Sequence, residues 1–456
     1  MLEKAKNYYF EHKLLINLLV CVGLIFLSAF WFPFMYLLLA FLLVSYWTLD
    51  VGEVMCLTMF LMMFSGMILL FVISAVYTFF VILVKYLIDL KHKKAVVLKW
   101  PLIITTAISV VFMLIFYKTD VYSVFQGLLI VLLLYFLYVA IAYKEKIDIY
   151  KCFSCLLFGM MVASVFGFIF YFIPSCSTLA YTNWKLEMVS LKEFMFHLDN
   201  GSFRLSLLSF HINHLAVIML VAAAYAVNTF LTRRGKKTKD LVFLSLLLIF
   251  SMCIGALTLS KTFIVGAVII LLTGIVGGIV KYKLKSLKII VPVLLLLGGL
   301  TAIFHEKVFQ VFERFLGYDY STVLFSITTG RNVIWAKYFN EMISKPLKLI
   351  FGAGLFTSEV VNIGPHSGYI FMFYRLGIVG SLCMCALAVS YLLALKKEYK
   401  INLLKTLPLI IFLIVSVIEA CFDERFFFFV LSILFMFDKR EQKEEQKQIE
   451  NIENEI

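Results

Sequence analysis

The chain has 456 residues, of which 63% are hydrophobic and 15% are charged, and its formal net charge is +13. A soluble globular protein is excluded, because no soluble core buries so many apolar side chains, whereas a bilayer needs about 20 apolar residues for each helical crossing. The positive charge does not indicate nucleic-acid binding, because most of the 41 lysines and arginines lie in short stretches between apolar runs, where they indicate membrane topology.

The first 85 residues predict paired membrane passes. Residues 14–49 contain two apolar runs that meet at Pro33, so we expect two helices hinged there, the first of them an uncleaved anchor. Residues 54–84 are long for one upright helix and short for two. Because the N-terminus and the basic loop 85–99 are both expected on the cytoplasmic side, an even number of passes is required, and two are favoured here.

Ten further apolar runs predict membrane-spanning helices. Runs such as 241–259 lack the period-two alternation of a barrel strand, and only helices or closed barrels satisfy backbone polar groups in lipid. The predicted fold class is an all-α, polytopic integral membrane protein with about 12 to 14 transmembrane helices, 14 being favoured by charge alternation. The membrane domain covers residues 1–437, and a charged cytoplasmic tail follows at 438–456. The ten runs are 101–117, 121–142, 152–173, 210–231, 241–259, 263–280, 289–304, 366–395, 405–422 and 426–437.

The basic loops alternate in side along the chain, which predicts that both termini are cytoplasmic. The same alternation places two long connections, residues 174–209 and 305–365, on the outer face. Loops of this length in a compact helical protein are usually functional or disordered, and the aromatic side chains in these two favour function. We therefore expect any chemistry to take place at the outer face.

The cysteine pattern gives no signature of a disulfide framework or a metal site. Of the nine cysteines only Cys176 lies in an outer loop. Cys152 and Cys155 form a single CxxC without a second pair, and we interpret them as small buried hydrophobic side chains. Neither HExxH nor an Asp-rich motif occurs, so metal catalysis is not supported and neither a metal nor another cofactor is predicted.

The second long loop contains TGRNVIWAKYFNEMISKP, whose apolar residues recur at helical spacing from Arg331 onward. This predicts an amphipathic helix on the bilayer surface, capped by Thr328 or Thr329 and ending before Pro346. Arg331 then lies in the first turn, where free N–H groups favour an anion and a guanidinium fork suits phosphate oxygens. An interfacial arginine that meets lipid headgroups is an equally good interpretation. The apolar stripe comprises Ile334, Trp335, Tyr338, Phe339, Met342 and Ile343.

His366 is predicted at the outer entrance of a spanning helix, because Gly364 and Pro365 mark a turn directly before the next apolar run. The ordinary near-neutral pKa of histidine suits a general base that takes a proton from a hydroxyl. A hydrogen-bonded structural histidine is the more frequent case at such a boundary. Arg375 lies about nine residues further on, where an ionised side chain needs a partner or a polar cavity, so it is either a substrate contact or structural.

Further polar side chains are predicted at the outer boundary, in three separate segments. Together with Arg331, their cations predict an anionic substrate embedded at the outer leaflet. Asn213 is a candidate substrate contact, while its neighbours His211 and His214 are core, hydrogen-bonding or substrate-contacting residues. The cations are Arg204 in FRLSLLSFHINHLA, Lys261 in LTLSKTF and Arg314 in VFERF.

The order of these segments, FRLS…HINHLA, SKT, TGRNVIW…GAG and PHSGY…GIVG, resembles the O-antigen polymerase and ligase superfamily of bacterial glycosyltransferases over about residues 200–390. In that family an arginine before the Asn-containing helix, a Ser-Arg or similar pair, an arginine before a tryptophan and a histidine in a His-Asn pair line an outer-face cavity. The resemblance implies that Arg204, Lys261 and Arg331 bind the substrate diphosphate and that His366 is catalytic.

Two positions depart from the family pattern. Lys261 stands in place of the usual arginine, which keeps the charge but loses the bidentate geometry of a guanidinium. Ser367 follows His366 where asparagine is common, which leaves the orientation of the acceptor open.

The resemblance implies a metal-independent transfer of glycan from an undecaprenyl-diphosphate-linked oligosaccharide to a sugar hydroxyl at the outer face of the bacterial cytoplasmic membrane. The product is a surface polysaccharide: capsule, exopolysaccharide or O-antigen. The implied partners are the lipid-linked oligosaccharide, membrane lipid and a chain-length regulator protein, and nucleic acid is not among them.

Two other functions stay open. A ligase of the same architecture transfers the glycan to a lipid A core instead of a second repeat unit. A flippase or secondary transporter of lipid-linked oligosaccharides also has 12 to 14 helices, but such proteins place ionisable groups at mid-membrane and often contain repeats. The predicted spans here are nearly free of charge, which favours an enzyme.

Overall fold

The computed structural model of the chain describes nine stretches, and the statements below concern these residues. They are residues 2–92, 148–184, 196–199, 202–208, 212–232, 238–282, 331–353, 366–382 and 407–417. Several predicted features lie outside them: the spans at 101–117, 121–142, 289–304 and 426–437, the tail at 438–456, the caps Thr328 and Thr329, and the side chains His211 and Arg314.

The elements divide into two compact units, one containing the described residues up to Leu215 and the other those from Ala216. The first unit contains α1 (Leu2–Phe30), α2 (Pro33–Thr48), α3 (Val51–Leu61), α4 (Ile68–Lys91), α5 (Ile149–Phe172), α6 (Pro174–Trp184), β1 (Phe196–Asp199) and β2 (Ser202–Leu205). The boundary falls within α7 (Ile212–Thr232). The second unit continues with α8 (Thr238–Leu257), α9 (Lys261–Tyr282), α10 (Arg331–Ile343), α11 (Pro346–Phe351), α12 (Gly368–Leu382) and α13 (Leu407–Val415).

The predicted fold class, an all-α polytopic membrane protein, is confirmed. In the described part of the chain, the regular structure is helical except for the small antiparallel hairpin of β1 and β2. Five described helices are long and apolar enough to cross a membrane: His12–Phe30 in α1, α5, α7, α8, and Lys261–Val280 in α9. Each overlaps a run that hydropathy alone marks as a span.

The predicted hinge at Pro33 is confirmed. Helix α1 ends at Phe30, and Pro33 is the first residue of α2, the position where its missing N–H costs nothing. The free carbonyl groups at the end of α1 are partly satisfied by the 174–209 connection, because Asn183 Nδ2 of α6 donates to the Ala29 carbonyl at 2.8 Å. Trp184 Nε1 donates to Ser28 Oγ at 2.9 Å. The start of the 174–209 connection is therefore an ordered helix docked on α1.

Residues 51–91 form a helical hairpin rather than two full crossings. Helix α3 and the 3₁₀ turn Met62–Phe64 that follows it together rise about 22 Å, short of a hydrocarbon core of roughly 30 Å. Every residue of α3 except Glu53 is buried, as expected for a helix that is apolar on all sides. Its first turn is held by a capping box in which Asp50 and Glu53 exchange hydrogen bonds with each other's backbone N–H.

Helix α9 packs closely on α7 in the second unit through small residues. A Cβ atom added at Gly266 would lie 2.5 Å from Leu220 Cδ1, and one added at Gly277 would lie 2.7 Å from Leu231 Cδ1. The leucine side chains of α7 thus occupy the space that a side chain at either glycine would need, and small residues at a membrane helix interface allow such van der Waals contact. Most side chains of α7 are fully buried, so this helix lies in the protein interior.

Candidate functional site

Arg204 lies on β2, in a segment of the 174–209 connection that enters the protein. Its backbone pairs with His197 of β1, and its side chain is half-buried. The four residues that follow, Leu205–Leu208, are all buried. The segment ends on the α3–α4 turn, where the Gly66 N–H donates to the Leu208 carbonyl at 2.7 Å. Non-helical backbone is tolerated at membrane depth where protein covers it.

Asn213 fixes the guanidinium of Arg204. Arg204 Nη2 donates to Asn213 Oδ1 at 3.1 Å, and Asn213 lies in the first turn of α7. The two predicted site residues therefore form one pair at a helix N-terminus, where the helix dipole adds to the positive charge of the arginine. His214, the next residue, is half-buried.

Lys261 is the first residue of α9 and is half-buried in the second unit. A tight turn precedes it, in which Leu259 has φ +48° and Thr258 Oγ1 both donates to the Gly255 carbonyl and accepts from the Ser260 N–H. The Ser260 carbonyl accepts the first intrahelical bond, from Ile264 N–H at 3.1 Å. Buried hydroxyl groups thus build the turn that presents Lys261 at a helix start.

Arg331 is the first described residue of α10, and the predicted end of this helix is confirmed, since it ends at Ile343 before Pro346. The predicted apolar stripe is divided between two environments. Tyr338 and Met342 are buried, and they form a cluster with Ala353 and Tyr374 that Ile334, Leu349, Ile370 and Phe373 extend. Phe339 and Ile343, on the same predicted stripe, are 40% and 64% exposed. One side of the helix is therefore covered by α12, so the buried part of the stripe cannot face the bilayer.

His366 lies just before Ser367 and the start of α12, and its backbone is left-handed with φ +48°. Ser367 is the residue at the helix cap: its carbonyl accepts from Phe371 N–H at 3.0 Å, while its hydroxyl lies 3.5 Å from the Ile370 N–H. The Gly368 N–H donates to the Ser416 carbonyl at 2.8 Å. The serine that departs from the family pattern therefore has a local role, in starting the helix that presents the imidazole.

The imidazole of His366 is held in its neutral form. Burial lowers its pKa below the ordinary value of 6.5, and the positive charge of Arg331 lowers it further. The second cause requires the two side chains to lie close enough for their charges to interact. A neutral imidazole at neutral pH is the form that accepts a proton, so the pair combines a fixed positive charge with a base.

Arg375 is buried in α12, and its guanidinium carbon lies 3.6 Å from the ring centroid of Phe371, one turn earlier. An aromatic face stabilises a desolvated cation, which is one way to hold an arginine within a membrane helix. The backbone of Arg375 also packs on the segment that contains Gly352, because a Cβ atom at Gly352 would lie 2.1 Å from the Arg375 carbonyl oxygen. We interpret Arg375 as structural on this geometry, and a direct contact with substrate stays a prediction.

The described residues contain three non-glycine residues with positive φ: Leu207, Leu259 and His366. Leu207 follows Arg204 by three residues, Leu259 precedes Lys261 by two, and His366 is itself the predicted base. Leucine rarely adopts this conformation, and such strain tends to collect at functional sites. The sequence offers no signal for the two leucines, because neither glycine nor asparagine marks the position. The sequence gives no signal either for Gly66, whose N–H donates to the Leu208 carbonyl at the end of the Arg204 segment.

The structure brings the predicted site residues together in two groups. Arg204 and Asn213 are hydrogen-bonded in the first unit, whereas Arg331 and His366 interact in the second, which also contains Lys261 and Arg375. Convergence of the two groups into one pocket stays a prediction. Within the described stretches, no cluster of three His, Cys, Asp or Glu side chains is arranged to hold a metal ion.

No protein-family model, curated protein or solved structure matches the chain. The function is therefore inferred from the site and from the sequence resemblance.

Proposed function

We propose that the protein is a metal-independent glycosyltransferase that polymerises undecaprenyl-diphosphate-linked oligosaccharide repeat units into a surface polysaccharide. The observation that carries this proposal is the pairing of a half-buried, neutral His366 with the charge of Arg331, each at the start of a helix. A base beside a fixed cation is what glycan transfer from a diphosphate requires. The strained backbone at or near three of the predicted site residues supports the same assignment.

In the proposed reaction, the acceptor sugar hydroxyl attacks the anomeric carbon of the donor. A new C–O bond forms, the bond between the anomeric carbon and the phosphate oxygen breaks, and the diphosphate leaves with the bonding electron pair. Neutral His366 takes the hydroxyl proton during attack. Arg331 and Lys261 stabilise the negative charge of the departing diphosphate, and the helix N-termini on which they lie contribute in the same sense. The binding of the diphosphate by Arg204 is carried by the sequence resemblance alone.

The membrane and the side on which the site opens are also part of the proposal. The lysine-rich loops favour cytoplasmic termini by the positive-inside rule, which places the N-terminal ends of α7, α9 and α12 toward the outer face. A lipid-linked donor anchored in the outer leaflet of a bacterial cytoplasmic membrane would present its diphosphate at that level. The diphosphate would then lie at the level at which the base and the cations are expected.

Purified protein in lipid nanodiscs, mixed with the lipid-linked oligosaccharide alone, tests the proposal. A polymerase uses this substrate as both donor and acceptor, so a ladder of longer lipid-linked glycans should appear on a gel, and free undecaprenyl diphosphate should accumulate. A ligase gives no ladder until a lipid A core is added. A flippase moves the donor across a vesicle membrane without forming any new glycosidic bond, and that result would remove the enzyme assignment.

Replacing Arg331 with glutamine is expected to move the acid limb of the pH–rate profile to higher pH. The charge of Arg331 lowers the pKa of His366, so its loss raises that pKa toward the ordinary value. Since the neutral imidazole is the active form, transfer is lost as the pH falls through the pKa, and the loss begins at a higher pH in the variant. The measurement is kcat/KM for chain elongation as a function of pH.

The matched control is Arg331→Lys, which keeps the positive charge. Its acid limb should stay near that of the unmodified protein even where the absolute rate falls, because a lysine cannot reproduce the bidentate contacts of a guanidinium. An acid limb that is identical in Arg331→Gln and in the unmodified protein would show that Arg331 does not affect the pKa of His366, and it would contradict the proposed pair.

A further inference from the structure

We propose that the helical hairpin of α3 and α4 is a positioning element that holds Arg204 at the depth where it meets the anionic group of the substrate. The identity of that group rests on the proposed function, whereas the support of the Arg204 segment by the hairpin does not. Gly66 at the turn and Gly159 on α5 are the positioning residues through which the hairpin acts.

The two helices of the hairpin run antiparallel, with their open ends together. Lys85 Nζ of α4 donates to the Leu49 carbonyl at the beginning of α3, and Thr58 and Thr78 hydroxyls lie 2.9 Å apart further along. A salt bridge of 2.6 Å from Lys13 Nζ to Glu53 Oε2 ties the same end to α1. The closed end of the hairpin, residues 62–67, is therefore the end remote from these charged side chains, and we expect it to lie in the hydrocarbon layer of the membrane.

Contacts with α5 show how far the closed end reaches. The two helices run in parallel, because the Cys56 and Cys152 sulfurs lie 3.7 Å apart at one level and the rings of Phe60 and Phe158 stack at 5.7 Å further on. Phe64 and Phe166 meet near the turn, with ring centroids 6.2 Å apart. Phe166 is six residues before the end of α5, so the turn lies about 9 Å inside that end.

The Arg204 segment descends to the same depth. The Gly66 N–H donates to the Leu208 carbonyl at the turn, and Leu205, Leu207 and Leu208 are at most 5% exposed. A hairpin of two four-residue strands is too small to be stable alone, so β1 and β2 depend on what they rest on. Because the segment is anchored on the turn through Leu208, a shift of the turn shifts the backbone that carries the guanidinium of Arg204 and so alters its contact with Asn213.

The close contact at Gly159 offers a way to displace the turn. A Cβ atom at Gly159 would lie 2.8 Å from the Phe60 carbonyl oxygen and 3.2 Å from Met63 Cγ. The first neighbour is backbone, so Gly159→Ala must shift the end of α3. Gly23→Ala on α1 is the matched control, because a Cβ atom there meets nothing within 4 Å.

A double-mutant cycle with Arg204 separates positioning from general destabilisation. We expect Gly159→Ala to lower kcat/KM for chain elongation by about 100-fold, the scale of a displacement near 1 Å, while Gly23→Ala leaves it unchanged. In an Arg204→Ala background, Gly159→Ala should have no further effect on kcat/KM, because both changes remove the same contact. Multiplicative losses in the double variant would contradict the proposal.

A second readout does not depend on transfer activity. Hydrogen exchange followed by mass spectrometry should show slow exchange of the Leu205–Leu208 amides in the unmodified protein and in Gly23→Ala, and faster exchange in Gly159→Ala. Unchanged exchange there would overturn the support role even if the enzyme proved active. An inactive protein with the expected exchange pattern would instead contradict only the proposed function. If Gly159→Ala does not accumulate, Phe64→Leu, which trims the buried ring at the turn, takes its place in both measurements.

Discussion

His366→Ala is expected to lower the rate of glycan transfer by about 10²–10⁴-fold, the usual contribution of a general base, without preventing insertion of the protein in the membrane. The acceptor hydroxyl would keep its proton during attack, while the cations would still hold the donor. The loss should therefore appear in kcat, with KM for the lipid-linked donor little changed. Chain-length ladders on a gel and the initial rate of undecaprenyl diphosphate release are the two measurements.

Alanine also changes the backbone at this position, because His366 has a positive φ that alanine adopts poorly. His366→Asn is therefore the better variant, since asparagine tolerates this conformation and can accept a hydrogen bond but cannot take up a proton. Loss of transfer in both variants would support a base, whereas an active asparagine variant would reduce His366 to an orienting residue. His92→Ala, at the exposed end of α4, controls for the loss of an imidazole and should be fully active.

The distribution of apolar residues predicted the helices well where one physical rule dominates. The bounds of α10 follow from the 3.6-residue periodicity and from Pro346, and the break between α1 and α2 follows from Pro33. Helices α5, α7, α8 and α9 each coincide with a predicted run to within a few residues. Their length is set by the bilayer, and a sequence records that requirement directly.

What the sequence could not predict is which partner covers each apolar surface. Tyr338 and Ile343 share a stripe by periodicity, but the first is buried in a protein cluster and the second is exposed. Likewise, the apolar run over 54–84 does not reveal that α3 ends before it can cross, because burial in protein and burial in lipid select the same side chains. The positive φ of Leu207 and Leu259 depends on tertiary contacts and has no local signature.

The predicted span at 366–395 also contains a distorted helical residue that its hydropathy does not reveal. Gly377 has φ +63°, and the carbonyl of Tyr374 accepts a hydrogen bond from the Ala353 N–H at 2.7 Å. The segment that contains Ala353 thus supplies a hydrogen bond to a helix that is distorted at this point. Gly352, with φ +86°, directly precedes Ala353 and takes part in the same contact with α12. This contact joins the segment after α10, the helix that begins at Arg331, to α12, the helix that follows His366, so it contributes to the geometry of that pair.

Gly377→Ala is accordingly expected to destabilise the second unit and to abolish transfer together. A positive φ costs a residue with a side chain about 1–3 kcal/mol, and a Cβ atom at Gly377 would also lie 2.3 Å from the Gly352 nitrogen and 2.6 Å from the Ile350 carbonyl oxygen. Both of these neighbours are backbone atoms, so neither can rotate away. The segment that contains Ile350 and Gly352 would separate from α12, and the effect of Arg331 on the pKa of His366 would weaken with it.

The midpoint of thermal unfolding in detergent, followed by tryptophan fluorescence, should fall by several degrees in Gly377→Ala and in Gly352→Ala, whose Cβ atom would lie 2.1 Å from the Arg375 carbonyl oxygen. Gly274→Ala on α9 is the matched control, because its Cβ atom would meet Val227 Cγ1 at an ordinary 3.4 Å. Equal midpoints in all three variants would show that a Cβ atom at Gly352 or Gly377 is accommodated without strain. A lowered midpoint with full transfer activity would instead show that the contact between Gly352 and α12 does not set the geometry of His366 and Arg331.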